Sequence, residues 1–391
     1  MRYYLSPRSV LRWLEMPCVY DRVNDELYEL DERAFEFLRE CASARGGDPQ
    51  AADRDFLDYC LGEGLLTEEL PRHAVPPLIK SPEPSLRYLE LQITNRCNLK
   101  CRHCYLGKTR GRELTVGQIE TVLVQFEEMQ GLRLLISGGE PLMHSGFDEI
   151  AAQLSAYRFR KVLFTNGLLL DRTRIGSLNV DEIQFSVDGL EEGHEILRGK
   201  GTYRTVMRAL EEALSEGAAV SVATMIHGGN LREFKGMELL FRGLGIRDWT
   251  VDAPCLSGNL SENPLLQVSP EVAGTFLRYG FGEGLHGGGE GYACGLHLMA
   301  ALADGKAAKC SFFALSPVGS LHEGLRACWA RVRPMPLSRL RCTDISCPVL
   351  DSCRGGCRYR AGLIDGEGAG GALSTARDYC KCYEYDIIHK A

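Results

Sequence analysis

Tyr88-Leu89-Glu90-Leu91-Gln92-Ile93 runs through Thr94-Asn95-Arg96 into Cys97-Asn98-Leu99-Lys100-Cys101-Arg102-His103-Cys104, and the reading of the whole chain turns on this stretch. The first six residues read as a strand that ends in three closely spaced cysteines. Five more strands are predicted at Leu132–Ser137, Lys161–Phe164, Glu182–Val187, Val220–Met225 and Asp248–Val251. Helical segments are expected between them, at about 115–130, 145–156, 171–177, 202–216 and 230–242. This alternation implies a parallel sheet, and six such units curl into a partial (β/α)6 TIM-like barrel of the α/β class. In such folds the chemistry lies at the C-terminal ends of the strands.

Outside this core, residues 1–70 read as a small α+β unit. Strands are expected at Cys18–Asp21 and Glu26–Leu30, with Asn24-Asp25 as the turn between them. Asp31 is placed to cap a helix over 32–38, and a second helix spans 53–61. Residues 71–86 form a linker, with five prolines between Pro71 and Pro84. The α/β core is assigned to 87–279. Residues 280–391 lose the strand–helix rhythm, so an irregular domain held by metal ligation is expected there.

The chain has 391 residues, 45% of them apolar, and a net charge of −7, which argues against a dedicated nucleic-acid binder. No apolar run approaches a membrane span, and Met1-Arg2-Tyr3-Tyr4-Leu5-Ser6-Pro7-Arg8 has no secretory pattern, so a cytoplasmic location is expected. The 16 cysteines stand out. In a reducing compartment such clustered thiols read as metal or iron–sulfur ligands rather than disulfides. Cys18, Cys41 and Cys60 read instead as packed small side chains. Cys97, Cys101 and Cys104 supply three ligands, one short of the four of a structural zinc site. On a four-iron cluster they would leave one iron free for a chelating substrate.

Cys-x3-Cys-x2-Cys, with His103 at the position usually aromatic, resembles the signature of the radical S-adenosylmethionine superfamily. The strand ends extend the resemblance. Gly138-Gly139-Glu140-Pro141 follows the second strand, Thr165-Asn166-Gly167 the third, and Ser186-Val187-Asp188-Gly189 the fourth. The resemblance implies a [4Fe-4S] cluster on the three cysteines. It places Gly138, Gly139, Glu140 and Pro141 near the methionine amino group of S-adenosylmethionine, with Glu140 complementing the ammonium. Asn166, Ser186 and Asp188 would lie near the carboxylate and ribose. Reductive cleavage of the C5′–S bond would then give a 5′-deoxyadenosyl radical that abstracts hydrogen from a substrate.

The later cysteines fall as Cys294-x10-Gly305-x4-Cys310, Cys342-x4-Cys347-x5-Cys353-x3-Cys357, and Cys380 and Cys382. This resembles the seven-cysteine SPASM extension, apart from the four-residue gap between Cys342 and Cys347. The resemblance implies two auxiliary [4Fe-4S] clusters. Cys294, Cys310 and Cys357 would hold the first, and Cys342, Cys347, Cys353 and one of Cys380 and Cys382 the second, with Cys380 favoured. The first cluster is expected to have an open iron, or one filled by His286, Glu290 or Cys328. Cys255, just after the sixth strand, is a candidate catalytic hydrogen or thiol donor at the cavity mouth. Arg339, Arg341, Arg354, Arg358 and Arg360 are expected to balance the charge of the clusters.

Residues 1–70 also resemble the winged-helix peptide-recognition element of ribosomal-peptide (RiPP) maturases, through Leu5-Ser6-Pro7, the 19–31 hairpin, Phe35, Phe37 and Leu38, and Gly62-Glu63-Gly64-Leu65-Leu66. A leader peptide would add as a strand between 26–30 and the 53–61 helix. Together these resemblances imply a maturase of a ribosomally synthesised precursor peptide, of the geopeptide or thioether-forming sactipeptide or ranthipeptide type. It would draw on an electron donor such as flavodoxin or ferredoxin and form a Cys thioether. A formylglycine-generating or epimerising relative is the alternative within enzymes, and a non-catalytic iron–sulfur electron carrier is the alternative outside them.

Overall fold

The computed structural model describes residues 2–70, 75–108, 111–282, 289–364 and 374–386. Its N-terminal part comprises β1 (Tyr4–Leu5), β2 (Ser9–Trp13), β3 (Pro17–Asp21), β4 (Glu26–Glu29), α1 (Glu32–Cys41), α2 (Arg54–Gly62) and β5 (Leu66–Thr67). β2, β3 and β4 form an antiparallel sheet, and β1 pairs with β5. Asp31 caps α1 by accepting from Ala34 N at 2.8 Å, the bond that its place before an apolar helix predicts. β1, β2 and β5 were not expected from the sequence. β2 escapes notice because Arg12 interrupts its apolar run.

The strand–helix alternation of the core appears as β6 (Tyr88–Thr94), α3 (Val116–Glu128), β7 (Arg133–Gly138), α4 (Phe147–Leu154), β8 (Arg160–Thr165), α5 (Arg172–Ile175) and β9 (Glu182–Ser186), followed by α6 (Glu191–Arg198), α7 (Thr202–Ser215), β10 (Val220–Met225), α8 (Phe234–Gly243), β11 (Asp248–Asp252) and α9 (Pro270–Leu277). Strands β6 to β11 pair in chain order and all in parallel. α6 and α9 are additions to the elements expected. Phe126, Phe159, Phe185, Phe234, Phe241 and Trp249 are fully buried between sheet and helices. Each such side chain stabilises the fold by roughly 1.5–3 kcal/mol relative to exposure.

Past residue 280 the sheet continues. β12 (Leu298–Ala301) lies parallel against the free edge of β6, and β13 (Lys306–Ala308) and β14 (Gly319–Ser320) follow antiparallel. The nine strands therefore form an open sheet, β11-β10-β9-β8-β7-β6-β12-β13-β14, and no barrel closes. The expected irregularity holds for the remainder, where α10 (Leu325–Trp329), α11 (Leu350–Cys353), α12 (Arg358–Ile364) and α13 (Tyr379–Glu384) are short. No helix among the described residues is long and apolar enough to cross a membrane.

The N-terminal sheet seats on the N-terminal ends of the core strands. Arg12, fully buried, pairs with Glu127 on α3 at 2.6 Å. Asp25 pairs with Arg133 at the start of β7, and Arg160 at the start of β8 donates to the Arg22 carbonyl at 2.6 Å. Glu15 accepts from Ser85 N at 2.6 Å and Arg87 Nη2 at 2.8 Å. The opposite ends of the strands are left for chemistry.

Candidate functional site

Thr94 ends β6, and the chain turns into the loop of Cys97, Cys101 and Cys104. The backbone after β7 presses directly on that turn. Gly139 N donates to Thr94 O and Glu140 N to Arg96 O, both at 2.8 Å. A Cβ at Gly138 would stand 2.3 Å from Thr94 O, and one at Gly139 2.4 Å from Arg96 O, so only glycine allows this approach. Pro141 opens a buried 3-10 turn over Pro141–Met143.

Glu140 is buried, and its carboxylate accepts from Thr165 Oγ1 (2.8 Å), Asn166 N (2.8 Å) and Leu142 N (3.3 Å). Burial raises its pKa to about 6, against the pull of those donors. The residue expected to complement an ammonium is thus first a clamp between the ends of β7 and β8. Three donors occupy three of about four lone-pair positions, which leaves one for a further donor. Asn166 Nδ2 bonds Asn98 Oδ1 at 2.8 Å and so ties the end of β8 to the cysteine loop.

Ser186 is half-buried at the end of β9. Asp188 is fully buried, accepts from Met225 N at 2.8 Å and pairs with Arg198 at the end of α6. Burial alone would raise the Asp188 pKa, but Arg198 holds it well below the usual carboxylate range. Arg198 Nη1 in turn stands 3.9 Å from Cys101 Sγ. The position expected near a ribose therefore anchors an arginine against the first cysteine set. Arg198 escaped the sequence reading because nothing in α6 marks one basic residue as inward-facing.

The three thiols are free and mutually close. Burial, and after it the charges of Asp188, Cys104 and Cys97, push Cys101 up to about 11, with Arg198 opposing. Cys97 Sγ accepts from Leu99 N at 3.4 Å. His103 Nδ1 is buried with no hydrogen-bond partner among the described residues. A cationic neighbour and a backbone N–H donor beside these thiols fit an iron–sulfur cluster, whose thiolates need such compensation. Among the described residues no three His, Cys, Asp or Glu side chains are grouped as ligands of one metal ion.

The later cysteines form two further sets. Cys342, Cys347, Cys353 and Cys382 line one small cavity with Asp378 and Lys381. Burial, then Cys342 and Cys353, push Cys382 up to about 12. The sequence favoured Cys380 for this place; in the structure the thiol that lines the cavity is that of Cys382. Cys380 is buried in the main core, with its backbone against Gly274 of α9. Two residues along a helix turn about 200°, so the two thiols of Cys380-Lys381-Cys382 point oppositely. Arg358 is fully buried beside this set, with Nε and Nη2 unpartnered among the described residues. Arg339 and Arg341 are exposed, and Arg360 is bound by Asp378 and Asp252. Arg354 is half-buried and its Nη1 is likewise without a partner among the described residues, so of the five arginines expected to balance charge Arg354 and Arg358 are the two with buried, uncompensated nitrogens.

The other set gathers Cys310 and Cys357, with Cys294 near Cys310. Cys255, expected at the cavity mouth, is instead buried in the same packed group with Ala300, Phe313 and Tyr359. Of the residues considered for an extra ligand, Glu290 is exposed and Cys328 donates to Ser320 O at 3.2 Å. His286 lies outside the described residues.

Residues 91–240 match the family model described as the Radical SAM superfamily. These residues form a radical SAM domain. The Fe-coproporphyrin III synthase of Methanosarcina barkeri is 30% identical over 186 residues, covering 46% of this chain and 45% of that protein. The mycofactocin maturase MftC of Mycobacterium ulcerans is 31% identical over 177 residues, covering 42% of this chain and 48% of that one. The chain thus spans about half the length of the curated relatives it matches. Among solved structures, Streptococcus suis SuiB, crystallised with S-adenosylmethionine and with its precursor peptide SuiA, has the same fold, with a TM-score of 0.69 at 16% identity over 97% of this chain and 100% of SuiB.

Proposed function

We propose that this chain is a radical S-adenosylmethionine enzyme, of the oxidoreductase type, that modifies a ribosomally synthesised precursor peptide. The observation that carries the reading is the pairing, in one chain, of a three-thiol loop at the strand ends with a sheet edge, at β4, that no strand among the described residues covers. β4 is the outer strand of its sheet, and Tyr28 on it meets Tyr59 of α2 with ring centroids 6.1 Å apart. An extended leader peptide adding to β4 would lie along that aromatic pair. Full-length likeness of fold to SuiB supports the same arrangement of parts. The two curated relatives make different kinds of product by name, and their matches cover the shared core, so they do not choose between substrates.

Cys97, Cys101 and Cys104 would hold the first [4Fe-4S] cluster. When bound, the cluster and S-adenosylmethionine supply a 5′-deoxyadenosyl radical for hydrogen abstraction. The chain's part is positioning. Gly138 and Gly139 give the loop its place, Pro141 starts the turn that buries Glu140, and Asn166 braces the loop through Asn98. Asp188 fixes Arg198 beside Cys101, and Ser186, at the end of β9, would lie near the cofactor. Residues 1–70 would recognise the leader, 71–86 link, 87–279 carry the radical chemistry and 280–391 hold two auxiliary [4Fe-4S] clusters. The β12–β14 strands of that last region belong to the core sheet, which couples it rigidly to the site.

The product we propose is a Cys thioether. Forming it removes the thiol hydrogen and one carbon-bound hydrogen, so one electron beyond the abstracted hydrogen needs an outlet, which the C-terminal thiol sets would hold. A flavodoxin or ferredoxin would supply the reducing electron, in the cytoplasm.

The test is anaerobic reconstitution with iron, sulfide, S-adenosylmethionine, dithionite and a short Cys-bearing peptide encoded beside the gene. The expected result is 5′-deoxyadenosine together with a peptide lighter by two hydrogens and no longer alkylatable. An unchanged mass with solvent deuterium uptake would replace the thioether by epimerisation. Absence of 5′-deoxyadenosine would overturn the radical reading itself.

A further inference from the structure

Cys255 has no place in the radical chemistry, yet the fold takes trouble to position it. It follows β11, and the residues around it are tied to the start of α12. Arg360 donates to Ala253 O at 2.7 Å and Asp252 Oδ1 at 2.8 Å while also gripping Asp378 at 2.8 Å. Tyr359 is packed with Cys255 in the same group as Cys310 and Cys357. The Cys255 side chain thus shares one packed group with those of Cys310 and Cys357. Cys294 lies near Cys310, and a Cβ on its neighbour Gly295 would stand 2.8 Å from Lys309 Cε.

A second observation is independent of the cysteines. Lys309, adjacent to Cys310, is 7% exposed, and its Nζ has no hydrogen-bond partner among the described residues. Its nearest compensation is the face of Phe313, 5.8 Å away. A buried ammonium with no anion beside it is costly. A cluster held by four thiolates is a net anion and would supply what Lys309 lacks.

We propose that Cys255 is the fourth thiolate of the Cys294, Cys310 and Cys357 set, closing the first auxiliary cluster from the loop after β11. The inference rests on the reading of those three as cluster ligands. It replaces the open iron expected from the sequence: with four protein thiolates, no coordination position remains for a substrate thiolate. The fourth ligand comes from the radical SAM core, so the cluster also fastens the C-terminal region to the strand ends.

The test uses the full chain carrying Cys97→Ala, Cys101→Ala and Cys104→Ala, so that only the auxiliary sets load. Reconstituted anaerobically, it is expected to hold roughly eight irons, and its reduced EPR spectrum is expected to ignore added cyanide. Adding Cys255→Ala should make one of the two signals cyanide-sensitive, or lower the iron to about seven or about four. Cys255→Ser, which keeps the size of the side chain, should retain the iron and shift that same signal through an oxygen ligand. Retention of all iron with unchanged, cyanide-silent spectra in both variants would overturn the inference. So would a cyanide response in the protein with Cys255 intact. If the Cys255-intact protein loads about four irons or none, the reading of Cys294, Cys310 and Cys357 as ligands fails instead.

Discussion

Gly139→Ala tests whether the backbone after β7 holds the first cysteine loop in register. The added Cβ would lie 2.4 Å from Arg96 O and 2.8 Å from its carbonyl carbon. Carbon contacts settle near about 3.5 Å, so something must give by about 1 Å. No flexible side chain is there to yield, since both strands are backbone joined by the 2.8 Å bonds of Gly139 N and Glu140 N. Arg96 precedes Cys97, so the displacement passes to the first thiol. Overpacking of this kind costs about 1–3 kcal/mol, which a domain stable by about 5–15 kcal/mol survives. Misplacing a reacting group by about 1 Å, however, costs on the order of 100-fold in rate. The variant is expected to fold, to melt a few degrees lower, and to form 5′-deoxyadenosine about 100-fold more slowly in single-turnover assays with dithionite. Gly117→Ala, on α3 with nothing within 4 Å of the added Cβ, is the control. It should keep full activity and gain up to about 1 kcal/mol of stability. Full activity in Gly139→Ala, with an unaltered cluster EPR signal, would refute the argument that this contact sets the loop.

Three other outcomes are expected. Cys382→Ala should lose the iron and EPR signal of one auxiliary cluster while Cys380→Ala keeps both and lowers the unfolding midpoint; the reverse pattern would reinstate Cys380. Asp188→Asn leaves the buried Arg198 without its anion and should cost about 3–5 kcal/mol in urea unfolding of the apoprotein, so an unchanged midpoint would count against the pair. Burial pushes the Glu15 carboxyl upward, but Ser85 N–H and the Arg87 guanidinium outweigh it and bring it down to about 2 from an ordinary 4.5. Its stabilisation is therefore present above pH 4.5 and lost as pH falls toward 2. The melting-temperature gap between wild type and Glu15→Gln should close across that range, and a gap constant with pH would refute the assignment.

Much of the fold was legible because it is local. Each core strand is a short apolar run bounded by turn residues, and the observed β6 to β11 fall within a residue or so of the expected spans. The caps at Asp31 and Asp53 are local hydrogen bonds to residues two or three positions on. β12 was not legible. Leu298-Met299-Ala300-Ala301 is short and poor in β-branched residues, and it becomes a strand by pairing with β6 from about 200 positions away in the chain.

By itself the sequence determined the alternation of strands and helices, the three-thiol loop after the first core strand and the glycines and acid that follow the second. These are matters of residue type, spacing and short-range bonding. The tertiary structure alone decided which thiols meet. Cys380 and Cys382 are indistinguishable by spacing, and the choice falls to Cys382 because α9 takes the other face of α13. Cys255 joins Cys357, 102 residues on, because Arg360 ties their loops together. Arg198 reaches Cys101 because Asp188 holds it there. Spacing fixes which thiols can approach locally, and packing between distant segments fixes which of them meet, because an apolar or charged face is chosen by whatever the rest of the chain lays against it.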